Sequence, residues 1–292
     1  MKGKLLEKVA RINTKVWVGM RTIFVFYAEK GLSRLPMDVE SVEEAISNIP
    51  EGVYTAFPIY PGDYALRFGK HLKRLRRSAE ALDFEIRIRE SWLREVLKKA
   101  VSMIGLDGCR TLLIITPSNP AGTYIIMEKF APPDSHILKR GVHVGLARSY
   151  ISRPQVKNTE KIQKRRKLFR RFSDVYEVLL YNDEGQILEG ASSSFCGVIG
   201  QTLRTAEESI LKGISRGVLL DAAEGILSVV KEPVHTDNLN TLREALLTSS
   251  SRGVVPIVEI NGIKVGEGEP GPVVSNLRAA YEGRVKEELE EL

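Results

Sequence analysis

The run Ala131-Pro-Pro-Asp-Ser135 breaks the chain near its middle. Two consecutive prolines remove two backbone donors and bar helix from the residues around them, so no element passes through this point. Before it, strand patterns at residues 17–27, 52–57, 65–68, 110–116 and 124–129 mix with helical patterns at 38–46, 69–82 and 91–104. Asp38 and Ser91 read as the N-caps of the first and last of these helices. In the second helix Phe68, Leu72, Leu75, Ala79 and Leu82 fall at helical spacing. After the break, strand patterns at 141–147, 176–181, on to 199, 229–233, 245–248 and 256–260 mix with helices at 159–172, 214–225 and 274–289. Tyr60-Pro-Gly-Asp63, Asn182-Asp-Glu-Gly185 and Asn261-Gly262 are turns. Strands and helices do not alternate as regular βαβ units. The expectation is therefore an α+β fold in two domains, a smaller one over 1–130 and a larger one over 139–292, joined by a linker at 131–138.

Composition excludes several classes. Of the 292 residues, 43% are hydrophobic and 27% charged, a globular balance. No apolar run reaches the ~18 residues that a membrane helix needs, and Met1 to Arg11 does not read as a signal peptide. The expected compartment is the cytoplasm. Cys109 and Cys196 read as small buried hydrophobes, and the four histidines show no ligand spacing, so no metal is expected. The net charge is +6, and much of the excess lies in Lys161-Ile-Gln-Lys-Arg-Arg-Lys-Leu-Phe-Arg-Arg171. A basic nucleic-acid-binding protein is one reading of that block. It carries one aromatic and no RNA- or DNA-binding motif accompanies it, so a solvated helix face is the expectation, with no nucleic-acid partner.

Four segments carry more information. They are His71-Leu-Lys-Arg-Leu-Arg-Arg-Ser-Ala79, then Glu189-Gly-Ala-Ser-Ser-Ser-Phe195, then Leu211-Lys-Gly-Ile-Ser-Arg216, and last Thr248-Ser-Ser-Ser-Arg-Gly-Val-Val-Pro256. Arg74 shares a helix face with His71 and Ser78, where a guanidinium can fork onto phosphate oxygens. Gly213-Ile-Ser215 opens a helix, and the unbonded N–H groups of a helix start bind phosphate. In this order, from about Gly52 to Tyr281, the segments resemble the class IV, fold-type IV aminotransferases. That group includes branched-chain aminotransferases, D-amino acid transaminases and aminodeoxychorismate lyases. The first forty residues match it poorly.

The resemblance implies a two-domain fold of the D-amino acid aminotransferase kind, pyridoxal 5′-phosphate as cofactor, and a homodimer. It makes Lys157, 32 residues before Glu189 (189 − 157), the lysine that forms a Schiff base with the cofactor and shuttles a proton. Lys161 and Lys164 are its local rivals. Glu189 would keep the pyridine nitrogen protonated. Arg74, the Ile214 backbone, Ser215 and Ser250 would hold the phosphate, with Ser249 and Ser251 as neighbours that could exchange with Ser250. The implied reaction is ping-pong transfer of an amino group from an amino acid to a 2-oxo acid, with a branched-chain or other apolar donor favoured. A D-amino acid transaminase or an aminodeoxychorismate lyase could use the same site.

This chain departs from the family pattern at three places. Ile162 stands where many branched-chain enzymes have tyrosine, and Ser194 where most relatives have asparagine. Phe57 and Pro58 fill a stretch in which an arginine often occurs. These changes touch the substrate side and leave the lysine, the acid and the phosphate ligands in place. Arg110 could bind a substrate carboxylate, but a strand-end arginine more often serves structure.

Overall fold

Alternation at every second residue governs the first part of the fold. The computed structural model describes residues 23–29, 31–117, 122–148 and 153–292. The packing of the backbone divides the chain into two units. The first holds the chain up to Ala131 with Lys157–Ile162 and Lys286–Leu292; the second holds Pro132–Val156 and Gln163–Val285. Of the strand expected at 17–27, residues 17–22 lie outside the described residues.

In the first unit, β1 (Ile23–Ala28), β2 (Leu32–Arg34), β3 (Val53–Tyr60), β4 (Tyr64–Leu66), β5 (Cys109–Ile115) and β6 (Thr123–Lys129) form one antiparallel sheet with the strand Leu289–Glu291. The order is Leu289–Glu291, β4, β3, β5, β6, β1, β2. Neighbouring residues of β5 serve opposite faces. Leu113 and Ile115 pack with Phe57, Phe68 and Leu97, whereas Leu112 and Ile114 pack with Val42, Ile46 and Tyr54. Both faces are thus buried, and each such side chain contributes about 1.5–3 kcal/mol. α1 (Val42–Ser47) covers one face; α2 (Phe68–Glu80) and α3 (Glu90–Ile104) cover the other.

Three ends differ from expectation. Ser41, not Asp38, caps α1: its Oγ accepts the Glu44 N–H, and the Glu44 carboxylate accepts the Glu40 N–H just before the cap. Ser91 lies inside α3, whose cap position is Arg89 with no side-chain cap bond; Glu90 in the first turn instead pairs with Arg94. The C-terminal helix stops at Glu287, and Leu289–Glu291 pairs with β4. Cations of the first unit hold this tail. Arg67 binds Glu288, Arg94 binds Glu290 and Lys98 binds Glu291, while Leu292 enters the core.

The second unit is built on β7 (Val142–Arg148), β8 (Glu177–Tyr181), β9 (Gln186–Gly190), β10 (Ser194–Ile199), β11 (Thr202–Arg204), β12 (Ser228–Val230), β13 (Val234–His235), β14 (Glu244–Ser249) and β15 (Gly253–Ile260). They lie in the order β12, β11, β10, β14, β15, β7, β8, β9, β13, and β16 (Ile263–Lys264) pairs with β15. The sheet is mixed: β7 runs parallel to β8 and β15. The expected linker is irregular only as far as Asp134, which caps α4 (Ser135–Arg140) by accepting the His136 N–H at 2.8 Å. α5 (Thr159–Arg171) exposes Lys164, Arg166, Lys167, Arg170 and Arg171 and buries Thr159 and Ile162. α6 (Ile214–Ala223) and α7 (Pro272–Glu287) complete the elements used below.

Cys109 and Cys196 are buried and not in a disulfide, and burial pushes both thiols up to about 11. Among the described residues no group of three His, Cys, Asp or Glu could hold a metal, and no helix is long and apolar enough to cross a membrane.

Candidate active site

Lys157 is held at both ends of its peptide unit. β4 is three residues long and pairs with only the end of β3, at Ile59 and Tyr60. Alongside the start of β3 runs the segment Lys157–Thr159, bridged at Val53 and Asn158. The Tyr54 N–H donates to the Lys157 carbonyl at 2.9 Å. The Lys157 N–H donates to Ser78 Oγ of α2 at 3.1 Å. Thr159 locks the register by donating its N–H to the Gly52 carbonyl and accepting the Gly52 N–H. The Lys157 amine then lies 4.9 Å from the centre of the Tyr54 ring, within the range of a cation–π contact.

The same face of α2 carries two more polar groups. Arg74 donates from Nη2 to Thr55 Oγ1 at 2.9 Å, and Thr55 Oγ1 lies 2.7 Å from His71 Nδ1. Arg74 Nε and His71 Nε2 are buried and have no hydrogen-bond partner among the described residues. Nor does any described carboxylate pair with Arg74. Burial lowers its pKa to about 10, so it stays charged at neutral pH. Burial, with the nearby charges of Arg74 and Lys157, holds His71 well below the usual histidine range, so it is neutral. A half-buried cation with an enclosed, unused N–H and no carboxylate partner among the described residues fits an anionic ligand.

The second unit gathers an acid and a set of hydroxyls. Glu189, near the end of β9, accepts the Leu211 N–H at 3.1 Å, which ties it to the segment leading into α6. α6 starts after Gly213, which provides no side-chain cap, so its first N–H groups keep their capacity to bind an anion. A Cβ on Gly213 would lie 3.0 Å from Ser194 Oγ; glycine permits that close approach. Ser194 pairs in register with Thr248, whose Oγ1 is buried and lacks a partner among the described residues. Ser215 Oγ, in the first turn of α6, donates to Ser250 Oγ at 3.3 Å. The same unit holds an ion pair between the fully buried Glu177 and the partly exposed Arg252. Glu177 accepts from Arg252 Nη2 at 3.0 Å, from the Ser192 hydroxyl, and from Ser193 at 3.0 Å, and Arg252 Nε reaches Ser249 Oγ at 3.1 Å.

The pattern of the Amino-transferase class IV family matches residues 52–260, more than half of the chain. The chain belongs to this family. It is an aminotransferase. A Methanocaldococcus jannaschii protein provisionally named a branched-chain-amino-acid aminotransferase is 26% identical over 260 residues, 79% of this chain and 86% of its own. The D-alanine aminotransferase of Listeria monocytogenes is 26% identical over 268 residues, 82% of this chain and 89% of its own. In fold, the class IV chain superposes on a Thermotoga maritima protein, also provisionally named a branched-chain amino acid aminotransferase. The TM-score is 0.75 at 26% identity, over 90% of this chain and 96% of that one. A further branched-chain amino acid aminotransferase, solved with pyridoxamine 5′-phosphate, shares the fold with a TM-score of 0.78.

The six residues singled out from the class IV motifs divide between the units. Lys157 and Arg74 share the first, linked through α2 by Ser78. Glu189, Ile214, Ser215 and Ser250 are in the second. Ile162, at the position where many branched-chain enzymes have tyrosine, is buried in the core with Tyr54 and Ile114. Phe57 and Pro58 are likewise buried. Arg110 faces Glu128 across the β5–β6 ladder and pairs with it, which is a structural role. Sequence reasoning passed over Thr55, Tyr54, Thr248, Glu177 and Arg252. Thr248 and Arg252 stand inside one of the four motifs, but no spacing rule marks that threonine as buried or that arginine as the partner of Glu177.

Proposed function

We propose that this aminotransferase works with pyridoxal 5′-phosphate bound through Lys157, and moves an amino group from a branched-chain or other apolar amino acid to a 2-oxo acid. The observation that carries this reading is the α2 face. It holds the Lys157 backbone through Ser78 and, one turn earlier, presents the half-buried Arg74, whose enclosed Nε has no bond and which has no acid partner among the described residues. A lysine and an anion-seeking arginine on one rigid helix suit a ligand that is both an aldehyde and a phosphate ester.

When bound, the cofactor supplies an electrophilic carbonyl and a ring that accepts electrons. Every other role falls to side chains of this chain. Lys157 Nζ would hold the cofactor and would take and return the substrate α-proton. Glu189 would keep a proton on the ring nitrogen, and its Oε2 is anchored by the Leu211 N–H. Arg74, the Ile214 N–H, Ser215 and Ser250 would hold the phosphate. The two half-reactions alternate at one lysine, so the kinetics are ping-pong, with 2-oxoglutarate the expected acceptor. The resemblance also implies a homodimer.

A second reading, transamination of D-amino acids, draws support from the D-alanine aminotransferase of Listeria monocytogenes, which this chain matches over 82% of its length. One experiment tests both. The purified protein is titrated with L- and D-amino acids while its visible spectrum is recorded and oxo-acid product is measured. A shift with L-leucine or L-valine and 2-oxoglutarate-dependent turnover supports the first reading. A response confined to D-amino acids supports the second, and a colourless protein indifferent to added pyridoxal phosphate overturns both.

A further inference from the structure

Among the described residues no carboxylate orients Arg74; its Nη2 is held by the Thr55 hydroxyl. Thr55 is fully buried, and its hydroxyl carries one proton. The oxygen accepts from Arg74, so that proton can go to His71 Nδ1, 2.7 Å away. In this arrangement one group is stranded, the His71 Nε2–H. In the alternative, Nδ1 donates to Thr55, and both the hydroxyl proton and the Nε2 lone pair are stranded. Each stranded buried polar group costs about 1–3 kcal/mol, so the first arrangement wins. A protonated imidazole is disfavoured further by the charges of Arg74 and Lys157 that bear on it. The imidazole plane is also fixed: the Phe57 ring packs 5.0 Å away, tilted by 53°.

We infer that Thr55 and His71 are positioning residues for Arg74. The neutral His71 ring takes the Thr55 proton, turns the Thr55 lone pair toward Nη2, and so fixes the orientation in which the guanidinium meets an anionic group. The inference rests on the proposed function, in which that group is the phosphate of pyridoxal phosphate. It predicts that two residues with no ionic role set the preference for the phosphorylated cofactor over the free aldehyde. Thr55 lies on β3 and His71 on α2, so the arrangement also makes the sheet–helix contact a determinant of cofactor choice.

The test is a pair of titrations of the full-length chain, freed of cofactor, with pyridoxal phosphate and with pyridoxal, read by absorbance. Thr55→Val and His71→Leu are expected to weaken pyridoxal phosphate about tenfold each, the worth of one hydrogen bond to a charged group. Pyridoxal binding is expected to stay unchanged. Thr55→Ser and His71→Asn, which keep a hydroxyl and an acceptor in place, should restore most of the loss. In an Arg74→Ala background Thr55→Val should cost nothing more. Equal weakening of both ligands, or a full loss from Thr55→Val in the absence of Arg74, would overturn the inference. If Thr55→Val does not fold, the His71→Leu and His71→Asn pair decides alone. Unaltered phosphate selectivity in variants of a protein that binds pyridoxal phosphate normally sinks only this inference. Failure of the unmodified chain to bind pyridoxal phosphate sinks the proposed function with it.

Discussion

The surroundings of Lys157 and those of Glu189 hold their polar groups in opposite ways. In the first unit two cations, Lys157 and Arg74, stand near a neutral histidine, and no acid among the described residues pairs with Arg74. In the second, the buried acid Glu177 carries its own cation, Arg252; the Ser192 and Ser193 hydroxyls share its Oε2, and the Val178 N–H donates to its Oε1. Arg74 lacks an acid partner among the described residues, whereas the Glu177–Arg252 pair is complete within itself. Incompleteness is costly in a buried place unless a ligand relieves it. Completeness gives rigidity, which is what a turn bearing Ser249 and Ser250 needs if its hydroxyls are to meet a ligand without reorganising.

This contrast can be broken by substitution. The largest effect is expected at the incomplete region. Lys157→Ala should lower turnover about a thousandfold or more, with little change in thermal stability, because the Lys157 backbone bonds survive. Steady-state kinetics and a melting curve check this together. The reverse balance is expected at Arg252. Arg252→Ala leaves Glu177 buried and uncompensated and should destabilise the fold by about 3 kcal/mol in chemical denaturation. A loss under about 1 kcal/mol, the scale of an exposed ion pair, would mean that Glu177 does not depend on Arg252.

The pH dependence sharpens the comparison. The folded state holds the His71 pKa below its ordinary value of 6.5, so the unfolded chain takes up that proton first. Stability from this group is present above about pH 6.5 and is lost as the pH falls below it, by at most about 1.4 kcal/mol per pH unit. His71→Asn should show a shallower loss of stability than the unmodified chain between about pH 6.5 and 5, measured by denaturant midpoints. The smallest effect is expected on the exposed face of α5, where Arg166→Gln should change stability by no more than about 0.5 kcal/mol.

How much could be read from the residues follows the range of the forces at work. Strand β5 and helix α2 were legible because their apolar spacing reports a face directly. The tail Lys286-Glu-Glu-Leu-Glu-Glu-Leu292 reads as helix by propensity, yet its last residues pair with β4. That outcome depends on Arg67, Arg94 and Lys98, far away in sequence, and no local pattern contains it. The site divides in the same way. Lys157 is singled out by its register with Glu189 in a family motif, and Ser215 by the helix start, which the fold places where the residues suggest. Thr55 was invisible because a threonine inside an apolar strand looks like packing until His71 and Arg74 are seen beside it. Glu177 and Arg252, 75 residues apart, meet only through the sheet.

The central claim is that Lys157 carries the cofactor. It is tested most directly by incubating the purified chain with pyridoxal phosphate, reducing with borohydride and mapping the modified peptide by mass spectrometry. The account predicts the label on Lys157. Stoichiometric label on Lys161, Lys164 or another lysine, with Lys157 unmodified, would contradict it.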